Sequence, residues 1–431
     1  MTTLDAIVPM AAAVPSVPPH GIARFVGKAG DFWRLNIRGA LLLMVTLGIY
    51  RFWLTTDIRR FLWSNTLLAD ESFEYTGTAR ELLLGFLFAI AVLVPLYVAL
   101  FAVSLNLGVI GQLSSVIAFV LLAVLGQFAI YRARRYRLTR TIYRGVRFHQ
   151  SGSGWRYAAC ALFWWVMIAL TLGLAYPFAQ SRLERFKMRH TFFGNLPGRF
   201  VGSGWGLFFR GVLMWLIVMA PLIVTITVLM AQIDWTGIAS GAERPNGNAN
   251  AEIVELLKNT VPDFILKMIL LGAVVGWSIL AALILYPIFQ AMMLRWWASG
   301  LRFGEVALTS RLRTGGVYGA YARFCGLTLA YSLILGTLMG MVFGLVGVTF
   351  DSANTDIKEI ATAVVGLVSY VLFMVGSSAI YQVTVRLATW RLVVESLEIA
   401  GISALDRVTA QGQPSSPFGE GLADALNVGG L

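Results

Sequence analysis

The sequence predicts an all-α polytopic membrane protein, on three observations: an apolar, charge-poor composition, six long apolar runs, and Arg-rich connections between them. Of the 431 residues 58% are apolar and only 13% charged, and the mean hydropathy is +0.73. Soluble domains carry roughly 25% charged residues, so most of this surface is not built for water. A helix needs about 20 apolar residues to cross a hydrocarbon layer roughly 30 Å thick. Residues 82–105, 107–131, 207–231, 264–292, 327–348 and 360–385 meet that length and are expected as six transmembrane helices, paired into three hairpins.

Two further runs decide the topology. Residues 39–50 are bracketed by Arg38 and Arg51, and residues 157–179 contain Gly173 and Pro177. They are expected as two short re-entrant or additional membrane segments. The connection 132–156 holds eight Arg and no acid, whereas 232–263 holds five acids against Arg244 and Lys258. Basic connections stay cytoplasmic. With 181–205 and 293–323 also basic and 349–360 acidic, the charges favour six crossings with both termini inside. Eight crossings, with the eight-Arg connection outside, is the alternative.

The net charge of +12 would suggest nucleic acid in a soluble protein. Here the bases sit between apolar runs, which makes anionic membrane lipid the expected partner and nucleic acid an unexpected one. Residues 1–22 begin with a Pro-containing stretch that lacks Lys and Arg up to His20, and read as a disordered leader. Residues 23–405 form a single membrane domain with internal repeats, and 406–431 a flexible C-terminal tail.

The repeats lie in the basic connections, near 52–81, 131–156, 180–205, 293–323 and 386–405. Arg59-Arg60-Phe61 aligns with Arg134-Arg135-Tyr136 and Glu184-Arg185-Phe186, and Thr66, Thr141 and Thr191 follow at one spacing. A second aromatic comes at Phe73, Phe148 and Phe200, then Thr76-Gly77, Ser151-Gly152 and Gly202-Ser203-Gly204. Such periodic self-similarity marks a repeated structural unit. Each unit reads as an amphipathic interfacial helix, a short turn such as Tyr143-Arg144-Gly145-Val146, and a Gly-containing step into the next apolar run. The two ambiguous segments also match, Thr46-Leu47-Gly48-Ile49-Tyr50 with Thr171-Leu172-Gly173-Leu174, and are expected to share one geometry.

These residues resemble the YjgN-like family of bacterial inner-membrane proteins, a domain of unknown function. The resemblance rests on the run from Thr46 to Trp53, Arg59 to Phe61, Phe73 to Leu83, Arg132 to Thr141 and Gly419 to Gly429. It implies an inner-membrane location in a Gram-negative cell and supplies no activity. The family typically shows Pro-Trp after this turn, whereas this chain has Arg51-Phe52-Trp53 and Tyr176-Pro177-Phe178, so a distorted turn is expected.

No catalytic or metal-binding pattern emerges, and no cofactor is expected. His149 and His190 lack a carboxylate or Cys at ligand spacing, and Cys160 and Cys325 read as small hydrophobes. The chain is not expected to be an enzyme. Two functions compete: a transport or permeability protein, and a non-transporting scaffold or lipid-organising protein. For the second, Arg134, Arg135, Arg137, Arg140, Arg144 and Arg147 are the candidate lipid-headgroup contacts, with Arg137, Arg140 and Arg144 on one helical face. Gly336, Gly340 and Gly344, at four-residue spacing, are the candidate helix-packing face, within the chain or across a homo-oligomer. Polar groups converging on a cavity would favour transport. An alkaline phosphatase reporter fused after Gln150, active only outside the cytoplasm, should be silent; strong activity there would establish eight crossings.

Overall fold

The computed structural model describes residues 21–106, 108–232, 263–350 and 355–428. The expected leader lies outside them, apart from residues 21 and 22, as does most of the acidic connection 232–263. Among the described residues the chain is mostly helical and has six helices long and apolar enough to cross a membrane.

Among the described residues five units follow one another, each a strand, two helices and a strand, with the second helix of the fifth continued by a short third. The first is β1 (Gly21–Phe25), α1 (Ala29–Val45), α2 (Arg51–Ser64) and β2 (Thr66–Leu68). The second is β3 (Glu71–Tyr75), α3 (Ala79–Asn106), α4 (Gly108–Thr139) and β4 (Thr141–Tyr143). The third is β5 (Val146–Gln150), α5 (Gly154–Leu170), α6 (Tyr176–Arg189) and β6 (Thr191–Phe193). The fourth is β7 (Leu196–Phe200), α7 (Gly204–Ala231), α8 (Phe264–Gly300) and β8 (Leu301–Phe303). The fifth is β9 (Val306–Ser310), α9 (Thr314–Thr349), α10 (Thr355–Tyr381) running through a π-turn (Gln382–Leu387) into α11 (Ala388–Glu395), and β10 (Leu397–Ala400). A last helix, α12 (Phe418–Ala425), follows a 3-10 turn (Ile402–Arg407).

The strands add to the all-α expectation. Each pairs antiparallel with the next along the chain, and β10 pairs with β1. The turn at Arg144-Gly145 has φ of 50° and 71°, and that at Ala69-Asp70 has 48° and 63°. Two residues with positive φ reverse a hairpin in step with its twist. Arg144 therefore sits in a strand turn rather than on the helical face expected for it with Arg137 and Arg140.

The third unit repeats the first. α1 and α5 have 17 residues each, α2 and α6 have 14. Between them Leu47 and Leu172 both have φ of 49°, followed by Gly48 at 91° and Gly173 at 96°. Thr46 Oγ1 donates to Leu42 O at 2.7 Å and accepts from Tyr50 N at 3.0 Å. Thr171 does the same with Met167 O and Ala175 N, at 2.7 and 3.0 Å. The turns thus share one geometry.

One register differs from the sequence alignment. Phe200 ends β7 and corresponds to Tyr75 and Gln150, while Phe73 and Phe148 correspond to Gly198. A two-residue slip keeps a side chain on the same face of a strand, so the alternation of aromatics did not betray it. The terminal aromatic has its own task. Phe25, Tyr75 and Phe200 each lay the ring over the Gly two residues on, where a Cβ would stand 2.6 Å from Cζ at Gly27, Gly77 and Gly202.

The largest cluster of buried apolar residues joins strands and helix ends, among them Phe25, Phe32, Leu62, Tyr143, Phe193 and Ile399. The long helices instead expose apolar side chains such as Leu87, Phe119, Leu213, Leu283 and Leu345, as lipid-facing spans do.

Residues 418–425, expected within a flexible tail, form α12, which packs Leu422 and Ala423 against Ala89, Ala129 and Ala133 of α3 and α4. Small residues open the cleft that receives it. A Cβ on Gly85 would lie 2.6 Å from Pro417 O, and one on Gly421 would collide with the Gly85 backbone. By contrast, a Cβ on Gly336, Gly340 or Gly344 would meet nothing within 4 Å, so among the described residues these glycines pack on no other helix. Gly421→Ala should cost about 1–3 kcal/mol by overpacking the cleft, read as a lower melting temperature and faster tryptic cleavage after Arg407. Gly340→Leu should leave the melting temperature of the monomer unchanged. Equal melting of the Gly421 variant and the parent would mean that α12 is not docked.

Candidate functional site

Where helix meets strand, the repeated residues have fixed tasks. Thr66, Thr141 and Thr191 open β2, β4 and β6, and each hydroxyl donates to the carbonyl four residues back, in Leu62, Arg137 and Lys187, at 2.7–2.9 Å. Each also accepts a bond from across the fold: Trp390 Nε1 at 3.0 Å, Trp63 Nε1 at 3.0 Å and an Arg134 guanidinium N–H at 2.8 Å. Arg60 donates to Gly77 O and Arg185 to Gly202 O, both at 3.1 Å. This pins α2 and α6 to the Gly step of the following unit.

The residue before that latch points inward, and there the copies diverge. Arg59, only 3% exposed, donates to Tyr75 OH at 3.0 Å and forms an ion pair with Glu420 of α12. Arg137 Nε lies 3.8 Å from the other Glu420 oxygen. Burial pushes the Tyr75 hydroxyl pKa up, against the pull of Arg59, which keeps it a neutral acceptor. Arg134 instead reaches Gln150 Oε1 at 3.1 Å. Glu184 pairs with Lys187 and accepts from Trp297 Nε1 at 3.3 Å. Burial lowers the Lys187 pKa while Glu184 holds it up.

Above Arg59 a cavity of about 270 Å³ is lined by Arg51, Arg59, Gln382, Arg386, Glu420 and Asp424, with Ser378 and the apolar Leu43 and Leu54. The last three, with Gln382, also line a second cavity of about 270 Å³ that reaches Asn36 and Met374. Arg51 pairs with Asp424. Arg386 donates to Gln382 Oε1 at 2.7 Å, and among the described residues no carboxylate pairs with it. Three arginines thus line a cavity with two carboxylates, and Arg137 stands behind Glu420. The corresponding place in the other copy, lined by Tyr176, Pro177, Leu207, Trp215 and Phe289, is an apolar cavity of about 450 Å³. A cationic surplus in a recess suits a small anion.

Of the expected lipid contacts, several are engaged within the chain. Arg140 pairs with Glu81 at 2.6 Å, Arg144 with Glu71 at 3.1 Å and Asp406 at 2.7 Å, and Arg147 donates to Thr139 O at 2.5 Å. Arg134 and Arg137 face the interior as described, and Arg135 is half-buried. His149 stacks on Phe192 at 5.1 Å, and burial lowers its pKa. Ser203 caps α7 by accepting from Gly206 N at 3.3 Å, the role expected of a turn. The sequence reading missed Arg51, Arg59, Arg386, Glu420 and Asp424 as a group. Its available signal was two acids, Glu420 and Asp424, inside an otherwise apolar helix of the tail.

A family model described as a bacterial protein of unknown function, DUF898, matches residues 21–425. Inner membrane protein YjgN of Salmonella typhimurium is 30% identical over 148 residues, 34% of this chain and 34% of the relative. Its counterpart in Escherichia coli K12 is 26% identical over 161 residues, 37% of this chain and 36% of the relative. These alignments thus span about a third of each relative's length. No solved structure matches the chain.

Glu420→Gln should destabilise the protein by about 3–5 kcal/mol, because it strands the buried Arg59 charge. Arg59→Met combined with Glu420→Met should recover most of that loss in thermal melts in detergent. A double variant no more stable than Glu420→Gln would show that the pair is not what holds α12.

Proposed function

The chain belongs to the bacterial family of unknown function DUF898, and from that premise we propose that this integral inner-membrane protein is a transport or permeability protein for small anions. The observation that carries the reading is the polar cavity bounded by Arg51, Arg59, Arg386, Glu420 and Asp424, joined through Ser378 and Gln382 to a second cavity reaching Asn36. Polar groups that converge on a recess at the ends of membrane helices fit cargo better than they fit a dry scaffold.

In this reading α3 with α4, α7 with α8, and α9 with α10 form three hairpins across the membrane, and both termini are cytoplasmic. The α1–α2 and α5–α6 pairs enter and leave by the same face. Helices of 17 residues are about 26 Å long, shorter than the hydrocarbon core. Both reverse at exposed apolar tips, Val45 and Leu47 in one and Leu170 and Leu172 in the other. Their return helices carry Asp57, Arg59 and Arg60, or Arg182, Glu184, Arg185 and Lys187, charges that a bilayer centre disfavours.

Liposomes containing the purified protein should pass chloride, phosphate or succinate faster than empty liposomes. Arg386→Gln should reduce that flux about tenfold or more while leaving the melting temperature near that of the parent. Fluxes equal to empty liposomes for all three anions would overturn the reading.

A further inference from the structure

A second group of arginines, outside the cavity described above, converges at the β7–β8 edge. Arg185, Arg189, Arg199 and Arg302 line a recess of about 790 Å³ whose remaining wall includes Gly198 and Gly304, and no acid among the described residues lines it. Among the described residues none of the four pairs with a carboxylate. Arg199 and Arg302 are direct partners across the antiparallel strands. Like charges at that position repel, and in the folded chain nothing lining the recess offsets them.

Two of the four are held in place. Arg185 donates to Gly202 O at 3.1 Å. One nitrogen of Arg302 donates to Ser299 O, Leu301 O and Leu308 O at 2.8–3.0 Å. A guanidinium carries five N–H donors, so each retains donors for a ligand. Arg189 and Arg199 are exposed and can close over it. Gly198 admits no side chain, since a Cβ there would stand 2.8 Å from Thr191 O and 2.9 Å from Met188 O.

The repeat separates this arrangement from a general topology signal. The corresponding edge of the second unit, β3 against β4, has Ser64, Glu74 and Ile142 where this one has Arg189, Arg199 and Arg302, and Glu74 and Ile142 are strand partners. A rule that counts basic residues would be met by arginines scattered over the connection. Arg60 stands there at the place of Arg185, but the other three places carry no base, so the convergence of four on one acid-free recess is absent from that copy.

We propose that Arg185, Arg189, Arg199 and Arg302 form a binding site for a phosphate-bearing anion. Arginine's planar fork matches phosphate oxygens in pairs. The phosphate can belong to a lipid headgroup or to a soluble phosphate compound, and the two sources are separable. The full chain in phosphatidylcholine nanodiscs is titrated calorimetrically with inorganic pyrophosphate, and the same chain from phosphatidylglycerol-containing membranes is examined by native mass spectrometry. Arg189→Gln with Arg199→Gln removes the two exposed arms and spares the carbonyl-bound ones, with a thermal melt as the check on folding. Pyrophosphate affinity falling about thirtyfold in the variant, on the order expected for two such charges, identifies a soluble ligand. Retention of phosphatidylglycerol by the parent and its loss in the variant, without pyrophosphate binding, identifies a headgroup. If parent and folded variant do not differ with either probe, the site does not exist.

Discussion

An arginine taken out of water must be met by fixed acceptors, and the Arg59 side chain is the point where this chain obeys that constraint most strictly. At 3% exposure an unpaired guanidinium would cost several kcal/mol. Tyr75 supplies one acceptor from the next unit, but the compensating charge comes from Glu420, 361 residues further along the chain. That single requirement fixes where α12 lies. The Gly85–Gly421 approach then sets how closely it fits, and Asp424 on the next turn of α12 brings a second acid to Arg51. The polar cavity is the space left between these pairs and Arg386.

The repeat explains how such a charged interior sits beside long apolar helices. Every junction from helix to strand leaves backbone carbonyls that need donors, because helix ends have no partners of their own. Threonine at the first strand position answers that need in β2, β4 and β6, and Arg60 and Arg185 satisfy the Gly-step carbonyls. With the junctions satisfied in this way, the remaining charged positions are free to differ. Arg59, Arg134 and Glu184 occupy one repeat position and have three different sets of partners. The same divergence makes one recess beside the short-helix turn polar and its counterpart apolar.

Intramolecular pairing also divides the basic residues by what they can do. Arg140 and Arg144 are held by Glu81, Glu71 and Asp406, so the most Arg-rich stretch of the sequence has fewer arms to offer a membrane than its charge suggests. Among the described residues the four arginines at β7–β8 have no such partners, although their stretch of sequence looks less basic. Counting charge along a chain measures the supply of cations. It does not measure which of them an acid from elsewhere has already met.

The sequence by itself determined the membrane class, the six long apolar helices, the repeated unit and the shared turn at Gly48 and Gly173. All of these are local: they follow from hydropathy over about 20 residues or from a motif that recurs within one turn. It misplaced Phe200 by two residues, because a period of two is blind to that slip, and it left residues 406–431 as a tail, because an eight-residue helix with two acids has no local reason to be ordered. Only the tertiary structure decided the docking of α12, the pairing of Arg59 with Glu420, and which arginines stay unmatched. Those outcomes depend on distances between segments hundreds of residues apart, and the energy of a buried charge is set by what stands within a few ångströms of it in space.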